Sequence, residues 1–302
     1  MAVFLRFLLM AVFLAMPGLS QTSGGALAKL HVFSDIDLSS QIEGKKEAVI
    51  DAGQGLVVRL TAPPEGRPFG ESLFLKAEGR QVTKIDGGKF EECLGVKKNS
   101  TNYWIVSEYS GGAHCCGVYH FFAQSGPHKP VSYLGKSEGH NGGPLPLRKC
   151  LVERGGALFF TDLDNRFDYF HESHAGSMLV NLPDRYYQLS PTGIKVNNLP
   201  FKAEYLKQAE ATQQEIQREV KKRRTRPQAI LGKGFGGGFA NLNFSDQLGQ
   251  LLVERTLYLL YAREDQKAWE TFSRDVARYY KTSQGVPELK AEIQKKLQGS
   301  PY

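Results

Sequence analysis

Short runs of apolar and aromatic residues, separated by Gly, Pro, Asn and Asp, fill the chain from residue 29 to about residue 200. Their length, their β-branched and aromatic content and their turn residues are typical of strands. No long amphipathic helix interrupts them, so we predict an antiparallel sandwich, barrel or propeller-like array rather than a doubly wound α/β enzyme. The clearest predicted strands are 55–62, 102–109, 115–123, 157–162 and 185–190.

The pattern changes to helical composition after Pro200. Residues 203–224 are rich in helix formers but contain few apolar positions, which predicts an exposed or connecting helix. The glycine-rich segment 231–244 then ends it. Three further helices are predicted, beginning near Ser245 or Asp246, near Asp265 and at Pro287.

These two patterns predict an α+β fold, in which a mainly antiparallel β domain, sandwich or propeller-like, precedes a C-terminal α-helical region. The helices after residue 245 carry apolar residues at helical spacing, which predicts that two of them pack as a hairpin. The predicted organisation is a signal peptide (1–28), a β domain (29–200), a basic helix with a Gly-rich linker (201–244) and a helical hairpin or tail (245–302).

The first 28 residues have the layout of a secretory signal peptide. Arg6 precedes an uncharged apolar run, residues 7–16, which is followed by Pro17 and Gly18. This run is shorter than the roughly 20 residues that a membrane-spanning helix needs. We therefore expect cleavage near Ala28, with Ser20 as a rival position, and a periplasmic or secreted protein that is not integral to the membrane.

The formal net charge of +7 is unevenly distributed. A run of cations at 221–226 suggests contact with a polyanion or an anionic surface, although a solvated helix end is the alternative interpretation. The glycines at 232, 234 and 237 fit a dinucleotide fingerprint, but no predicted strand precedes them, so we expect no nucleotide partner. The candidate contact residues are Lys221, Lys222, Arg223, Arg224 and Arg226.

Four cysteines, Cys93, Cys115, Cys116 and Cys150, predict two disulfide bonds in an exported chain. Adjacent Cα atoms lie about 3.8 Å apart, closer than disulfides prefer, so a Cys115–Cys116 bond would be strained. On a strand the two side chains point to opposite faces. We therefore expect one of them to bond Cys93 and the other Cys150, with the strained adjacent bond as the alternative.

The segment around the paired cysteines, YSGGAHCC (109–116), also suggests catalysis by a thiol. If the strand has begun, His114 and Cys116 lie roughly 6 to 7 Å apart, which is too far for a direct hydrogen bond. Gly111 and Gly112 are explained by a hairpin turn. His114 has no such explanation and is retained as a candidate functional residue.

A second candidate site is the acidic loop that begins at residue 162. Asp162, Asp164 and Asp168 alternate as calcium ligands do in short loops, which suggests Ca²⁺ as a bound cofactor. The expected glycine is missing and Arg166 adds a competing cation, which favours a turn in which the carboxylates bind backbone amides.

Two histidines in the same loop, His171 and His174, are also candidate functional residues. Their spacing differs by one residue from that of the zinc-protease motif, so that motif does not match. Convergence of histidines on a transition metal is a further alternative. Its candidate ligands are His114, His120, His140, His171 and His174.

The YSGGAHCC segment, followed by an Asp-x-Asp loop and the run 167–170, resembles a group of uncharacterised exported bacterial proteins. In these proteins a YSGGAHCC hairpin precedes a segment similar to a divergent FG-GAP or VCBS propeller repeat. Residues 257–272 resemble a helical hairpin that follows it in some of them. The loop departs from the family at Asn165 and Arg166. The resemblance implies an exported β domain with no established activity.

The sequence therefore favours an exported, non-enzymatic binding protein that contacts an envelope or extracellular partner. One alternative is a hydrolase that uses His and Asp residues near 114 and 162–174. The other is a thiol–disulfide redox protein that uses Cys115 and Cys116.

Overall fold

The computed structural model describes residues 30–67, 69–111, 116–140, 142–167, 181–225, 246–281 and 285–298. In these ranges, three antiparallel sheets are followed by four long helices, which confirms the predicted α+β class. The described helices include none that is both long enough and apolar enough to cross a lipid bilayer.

The central sheet has five strands in the order β1-β6-β7-β8-β9. Strand β7 lies in its middle and is buried at every position from Thr101 to Glu108. Its side chains alternate, so Trp104 and Val106 enter one core while Tyr103 and Ile105 enter another. A sheet of this kind needs a covering layer on both faces. The strands are β1 His31–Asp37, β6 Lys89–Lys98, β7 Thr101–Tyr109, β8 Gly117–Gln124 and β9 Ser132–Lys136.

A second sheet, of order β2-β3-β4-β5, covers the face of the central sheet that carries Trp104. Strand β3 alternates between fully buried and half-buried residues, as expected of a sheet with one face in a core. The Trp104 indole donates a 3.0 Å hydrogen bond to the carbonyl of Ala52, which ties the two sheets together. The strands are β2 Glu47–Asp51, β3 Leu56–Thr61, β4 Ser72–Ala77 and β5 Arg80–Asp86, and a short helix, α1 Leu38–Ile42, precedes them.

A third sheet, of order β10-β11-β12-β13, covers the opposite face. Phe160 of this sheet packs edge-on against Phe121 of the central sheet, with ring centroids 5.1 Å apart. Its neighbour Phe159 points the other way, into the core shared with the helices. The strands are β10 Leu151–Arg154, β11 Ala157–Leu163, β12 Asp184–Ser190 and β13 Gly193–Val196, and a short helix, α2 Leu147–Cys150, precedes them.

Four helices form the last layer, against the outer face of the third sheet. Helix α4 is buried along almost its whole length, as its high apolar content requires. The Asp246 side chain caps it by accepting a 2.8 Å hydrogen bond from the Gly249 amide. The helices are α3 Lys202–Thr225, α4 Gln247–Tyr261, α5 Asp265–Tyr280 and α6 Val286–Leu297, which confirms the helix starts predicted near Asp246, Asp265 and Pro287.

The prediction that the first of these helices is exposed or merely connecting was wrong. Helix α3 packs along α4 through a buried stripe at spacings of three and four residues, which places its members on one face. Small and polar residues occupy part of this stripe, so its apolar content understates its burial. The stripe consists of Tyr205, Ala209, Thr212, Ile216 and Glu219.

Substitution of Ile216 tests whether α3 is a packed part of the core. Because Ile216 is fully buried, Ile216→Ala should lower the free energy of unfolding by about 3 kcal/mol. Its control is Gln214→Ala, an exposed position on the same helix. Urea unfolding followed by circular dichroism measures both, and equal effects would show that α3 does not pack.

Candidate functional site

The described ends of the predicted hairpin and of the acidic loop are linked through His140. Antiparallel strands β7 and β8 form the predicted hairpin, in which Tyr109 pairs with Gly117. Gly111 adopts the expected positive φ of 87°. Gly117 exchanges backbone hydrogen bonds of 3.0 and 3.1 Å with His140. The structure therefore brings the hairpin next to His140 and, through it, next to the acidic strand β11.

His140 forms a buried pair with Asp162. Its Nδ1 lies 2.6 Å from Asp162 Oδ1, and its Nε2 lies 3.0 Å from the carbonyl oxygen of Gly143. Because a carbonyl only accepts, Nε2 must carry a proton, and a second proton lies between Nδ1 and the carboxyl oxygen. Burial raises the pKa of Asp162, and His140 opposes that rise. Both side chains are at most 2% exposed, so this pair is covered by the surrounding protein.

The second aspartate of the predicted calcium loop is bound by arginine. Asp164 is fully buried and accepts hydrogen bonds from the Arg166 guanidinium, which also reaches the Tyr261 hydroxyl of α4 at 2.9 Å. The two aspartates thus bind different partners, His140 and Arg166. No group of His, Cys, Asp and Glu in the described ranges could hold a metal ion. Asp168, the third predicted calcium ligand, lies outside those ranges.

A second buried pair, Glu108 with His120, lies on the opposite face of the central sheet. His120 Nε2 is 2.7 Å from Glu108 Oε2, and its Nδ1 is 3.1 Å from the Tyr133 hydroxyl. The other carboxylate oxygen accepts a 2.7 Å bond from the Gly88 amide. A Cβ at Gly87 would lie 2.1 Å from this oxygen, so glycine is needed for the close approach. Composition alone gave no sign of this pair.

The predicted disulfide bonds to Cys93 and Cys150 are absent. Both residues are buried free thiols. Cys93 lies in the core between the central and second sheets, and Cys150 lies in the core between the central and third sheets. Burial raises the pKa of Cys93 to about 12 and raises that of Cys150 as well. The even cysteine count was misleading because these two serve as small apolar core residues.

Cys116 is disulfide-bonded, and because Cys93 and Cys150 are free thiols, neither is its partner. The adjacent Cys115–Cys116 bond stays a prediction, since Cys115 lies outside the described residues. The same holds for the candidate histidines His114, His171 and His174.

An open groove on the helical layer has a different character from these buried pairs. It encloses about 560 Å³, within the range of small-molecule sites. Residues of α3 form one wall and residues of α5 form the other. The lining residues are Gln213, Gln217, Val220 and Lys221 from α3, and Arg274, Asp275, Arg278 and Tyr279 from α5.

The groove carries an excess of positive charge. Lys221, Arg274 and Arg278 are exposed cations in its walls. Among the described residues of the lining, the one acid is Asp275, which is buried and already paired because its Oδ2 accepts a 2.8 Å bond from Arg255 of α4. Its Oδ1 accepts a 3.2 Å bond from Arg274. The arrangement is suited to binding an anion and offers no acid–base pair for catalysis.

The predicted basic run contributes only partly to this groove. Lys221 lines it, whereas Lys222 pairs with Glu219 at 3.6 Å. Arg223 is bound between Glu219 and Asp246. The Arg224 side chain and Arg226 lie outside the described residues. Arg274 and Arg278 were not among the predicted contact residues, although their spacing of four residues places them on one helix face.

No protein-family model matches the chain, and neither a curated protein nor a solved structure matches it. The resemblance to exported bacterial proteins with a YSGGAHCC hairpin therefore stays a prediction.

Thiol labelling tests the state of the cysteines. In the native protein an alkylating reagent should leave Cys93 and Cys150 unmodified, because burial keeps both thiols protonated. In denaturant without reductant both should react, and the peptide of 115 and 116 should react only after reduction. Peptide mass spectrometry gives the assignment. Protection of Cys93 or Cys150 in denaturant would instead restore the disulfides that we first predicted.

The Glu108–His120 pair should make the fold sensitive to acid. Burial alone would raise the pKa of Glu108, but the hydrogen bonds from His120 and Gly88 outweigh it and lower the pKa. The carboxylate thus stabilises the fold above the unfolded-state pKa of about 4.3, and this stability is lost as the pH falls below it. Glu108→Gln should cost about 2 kcal/mol at pH 7.

The measurement is urea unfolding at pH 7, 5 and 3.5, with the exposed Glu65→Gln as control. The cost of Glu108→Gln should shrink as the pH approaches 3.5. A cost that is constant with pH would mean that the carboxylate charge is not what stabilises the fold.

Proposed function

We propose that this protein is an exported, non-enzymatic binding protein whose C-terminal helices bind an anionic partner. The observation that carries the proposal is the groove between α3 and α5, with three exposed cations in its walls and its one acid neutralised. Clustered cations in a concave surface raise the local concentration of anions. The signal-like N-terminus predicted from the sequence supports export.

The buried pairs support binding over hydrolysis. A catalytic acid or base must reach the group from which it takes a proton. His140, Asp162 and His120 are all at most 2% exposed and are hydrogen-bonded within the protein. In the described part of the chain these residues thus have the environment of structural side chains that hold strands in place.

Thiol–disulfide exchange at Cys116 is the second candidate function. Cys116 is partly exposed and disulfide-bonded, and exposed disulfides are more easily reduced than buried ones. The buried thiols of Cys93 and Cys150 take no part in this candidate, because their protonated state makes them poor nucleophiles. The labelling experiment tests whether the purified protein contains this bond and whether a reductant opens it.

Vesicle binding tests the anionic partner. The protein should bind vesicles of phosphatidylcholine and phosphatidylglycerol more tightly than vesicles of phosphatidylcholine alone, and added salt should weaken this binding. Reversing two groove charges with Lys221→Glu and Arg278→Glu should reduce it at least about tenfold. Co-sedimentation measures the bound fraction.

The matched control is Lys207→Glu combined with Lys267→Glu, which makes the same charge change at exposed positions on α3 and α5 outside the groove lining. Lys207 lies 14 residues from Lys221, or about 21 Å along the helix. If the groove variant and the control lose the same amount of vesicle binding, the effect comes from net charge and not from the groove. If the protein shows no preference for anionic vesicles, the proposal is rejected.

A further inference from the structure

A buried arginine, Arg255, lies behind the groove and distinguishes the groove from an ordinary basic surface. Arg255 lies in α4 and is 2% exposed. Its Nη1 donates to Gln213 and to Asp275, which both line the groove. A fourth cation, the third guanidinium of the site, therefore lies directly behind the groove lining and bonds to both walls.

This arginine is incompletely satisfied by the described residues. Its Nε and Nη2 atoms are buried and have no hydrogen-bond partner among them. Burying such donors without acceptors is costly, because each loses its bonds to water. Arg255 thus keeps two donors that the described residues leave unused, on the same guanidinium whose Nη1 bonds Gln213 and Asp275 of the groove lining.

The electrostatics favour a ligand with more than one negative charge. Among the described residues of the lining, Asp275 is the one acid beside the cations Lys221, Arg274 and Arg278, and it is shared between Arg255 and Arg274. A buried charge is screened by salt much less than an exposed one. The field of Arg255 should therefore act on a bound anion even where salt weakens the surface cations.

The donor types match a phosphate group in particular. Guanidinium groups bind phosphate oxygens through two parallel hydrogen bonds, and lysine adds a point charge. A phosphate monoester carries about −1.5 to −2 charges at pH 7 and has three acceptor oxygens. A phosphate diester carries a single charge and offers fewer free oxygens, so it should satisfy this groove less well.

We propose that the α3–α5 groove is a binding site for one phosphate monoester group, recognised by Arg274, Arg278 and Lys221 with Arg255 behind them. This proposal rests on the proposed function and narrows its anionic partner to one chemical class. Both a soluble phosphorylated molecule and a lipid headgroup present this group.

Calorimetric titration of the intact protein tests the site directly. Inorganic phosphate and glycerol 3-phosphate should bind with one-to-one saturation, and dimethyl phosphate should bind at least about tenfold more weakly. Arg278→Ala and Arg274→Ala, both at exposed positions, should each weaken monoester binding about tenfold. Lys267→Ala, an exposed cation on α5 outside the lining, is the matched control and should change nothing.

A second pair of variants examines the buried arginine. Asp275→Asn keeps an acceptor for Arg255 but removes the negative charge, so it should tighten monoester binding. Arg255→Lys keeps the charge but removes most donors, so it should weaken binding. Circular dichroism and thermal unfolding establish that each variant is folded. If either does not fold, the exposed variants still decide the outcome.

A second experiment with vesicles distinguishes a lipid headgroup from a soluble phosphorylated molecule as the source of the phosphate group. Preference for phosphatidic acid over phosphatidylglycerol with no binding of glycerol 3-phosphate supports the site with a lipid ligand. Saturable binding of glycerol 3-phosphate supports it with a soluble ligand. The inference is overturned if monoester and diester bind equally well, both as soluble ligands and as lipids in vesicles. It is also overturned if Arg278→Ala does not change monoester binding. If the protein then still prefers anionic vesicles, the proposed function remains supported and only the phosphate monoester site is rejected. If it does not, both proposals are rejected.

Discussion

Burial of strand β7 on both of its faces is the constraint on which the rest of the structure depends. Trp104 and Val106 need an apolar cover on one side of the central sheet, and Tyr103 and Ile105 need one on the other. The second and third sheets supply these covers. The third sheet then exposes a second apolar face, which contains Phe159, and the helices cover that face in turn. The order of the layers thus follows from the alternation of side chains in strands.

Polar groups inside such a stack must find partners within it, and this accounts for the buried pairs. His140 with Asp162 and His120 with Glu108 lie on opposite faces of the central sheet, where unpaired groups would lose their bonds to water. The hairpin that looked most like an active site is joined to His140 by backbone hydrogen bonds. The open groove whose described lining carries more cations than acids lies instead on the helical layer, and for this reason we assign binding to that layer.

Much of the fold could be predicted because it depends on local pattern. The strand containing Trp104, the hairpin turn at Gly111 and the helix cap at Asp246 all have local signals, and the structure confirms each of them. The sequence misled where a residue type has two common roles. An even number of cysteines predicted disulfide bonds, but Cys93 and Cys150 are free thiols that pack in the core. The buried face of α3 was not recognised because it includes the polar residues Thr212 and Glu219.

The candidate site was only partly predictable, because it depends on how distant helices pack. Lys221 was singled out by its basic neighbours, whereas Arg274 and Arg278 lie more than fifty positions later and meet it only in the folded protein. The sequence contains no signal that predicts the burial of Arg255, because an arginine in an apolar helix is recognised as buried only when its surroundings are known.

The most direct test of the central claim is an NMR titration that observes the arginine Nε–Hε signals of the folded protein. On addition of glycerol 3-phosphate, the signals of Arg274, Arg278 and Arg255 should shift together and saturate at one equivalent of bound ligand. Signals of arginines in the β sheets, such as Arg59, should not move. Shifts that are spread over many surface arginines without saturation, or the absence of any shift in these three, would contradict a defined anion site between α3 and α5.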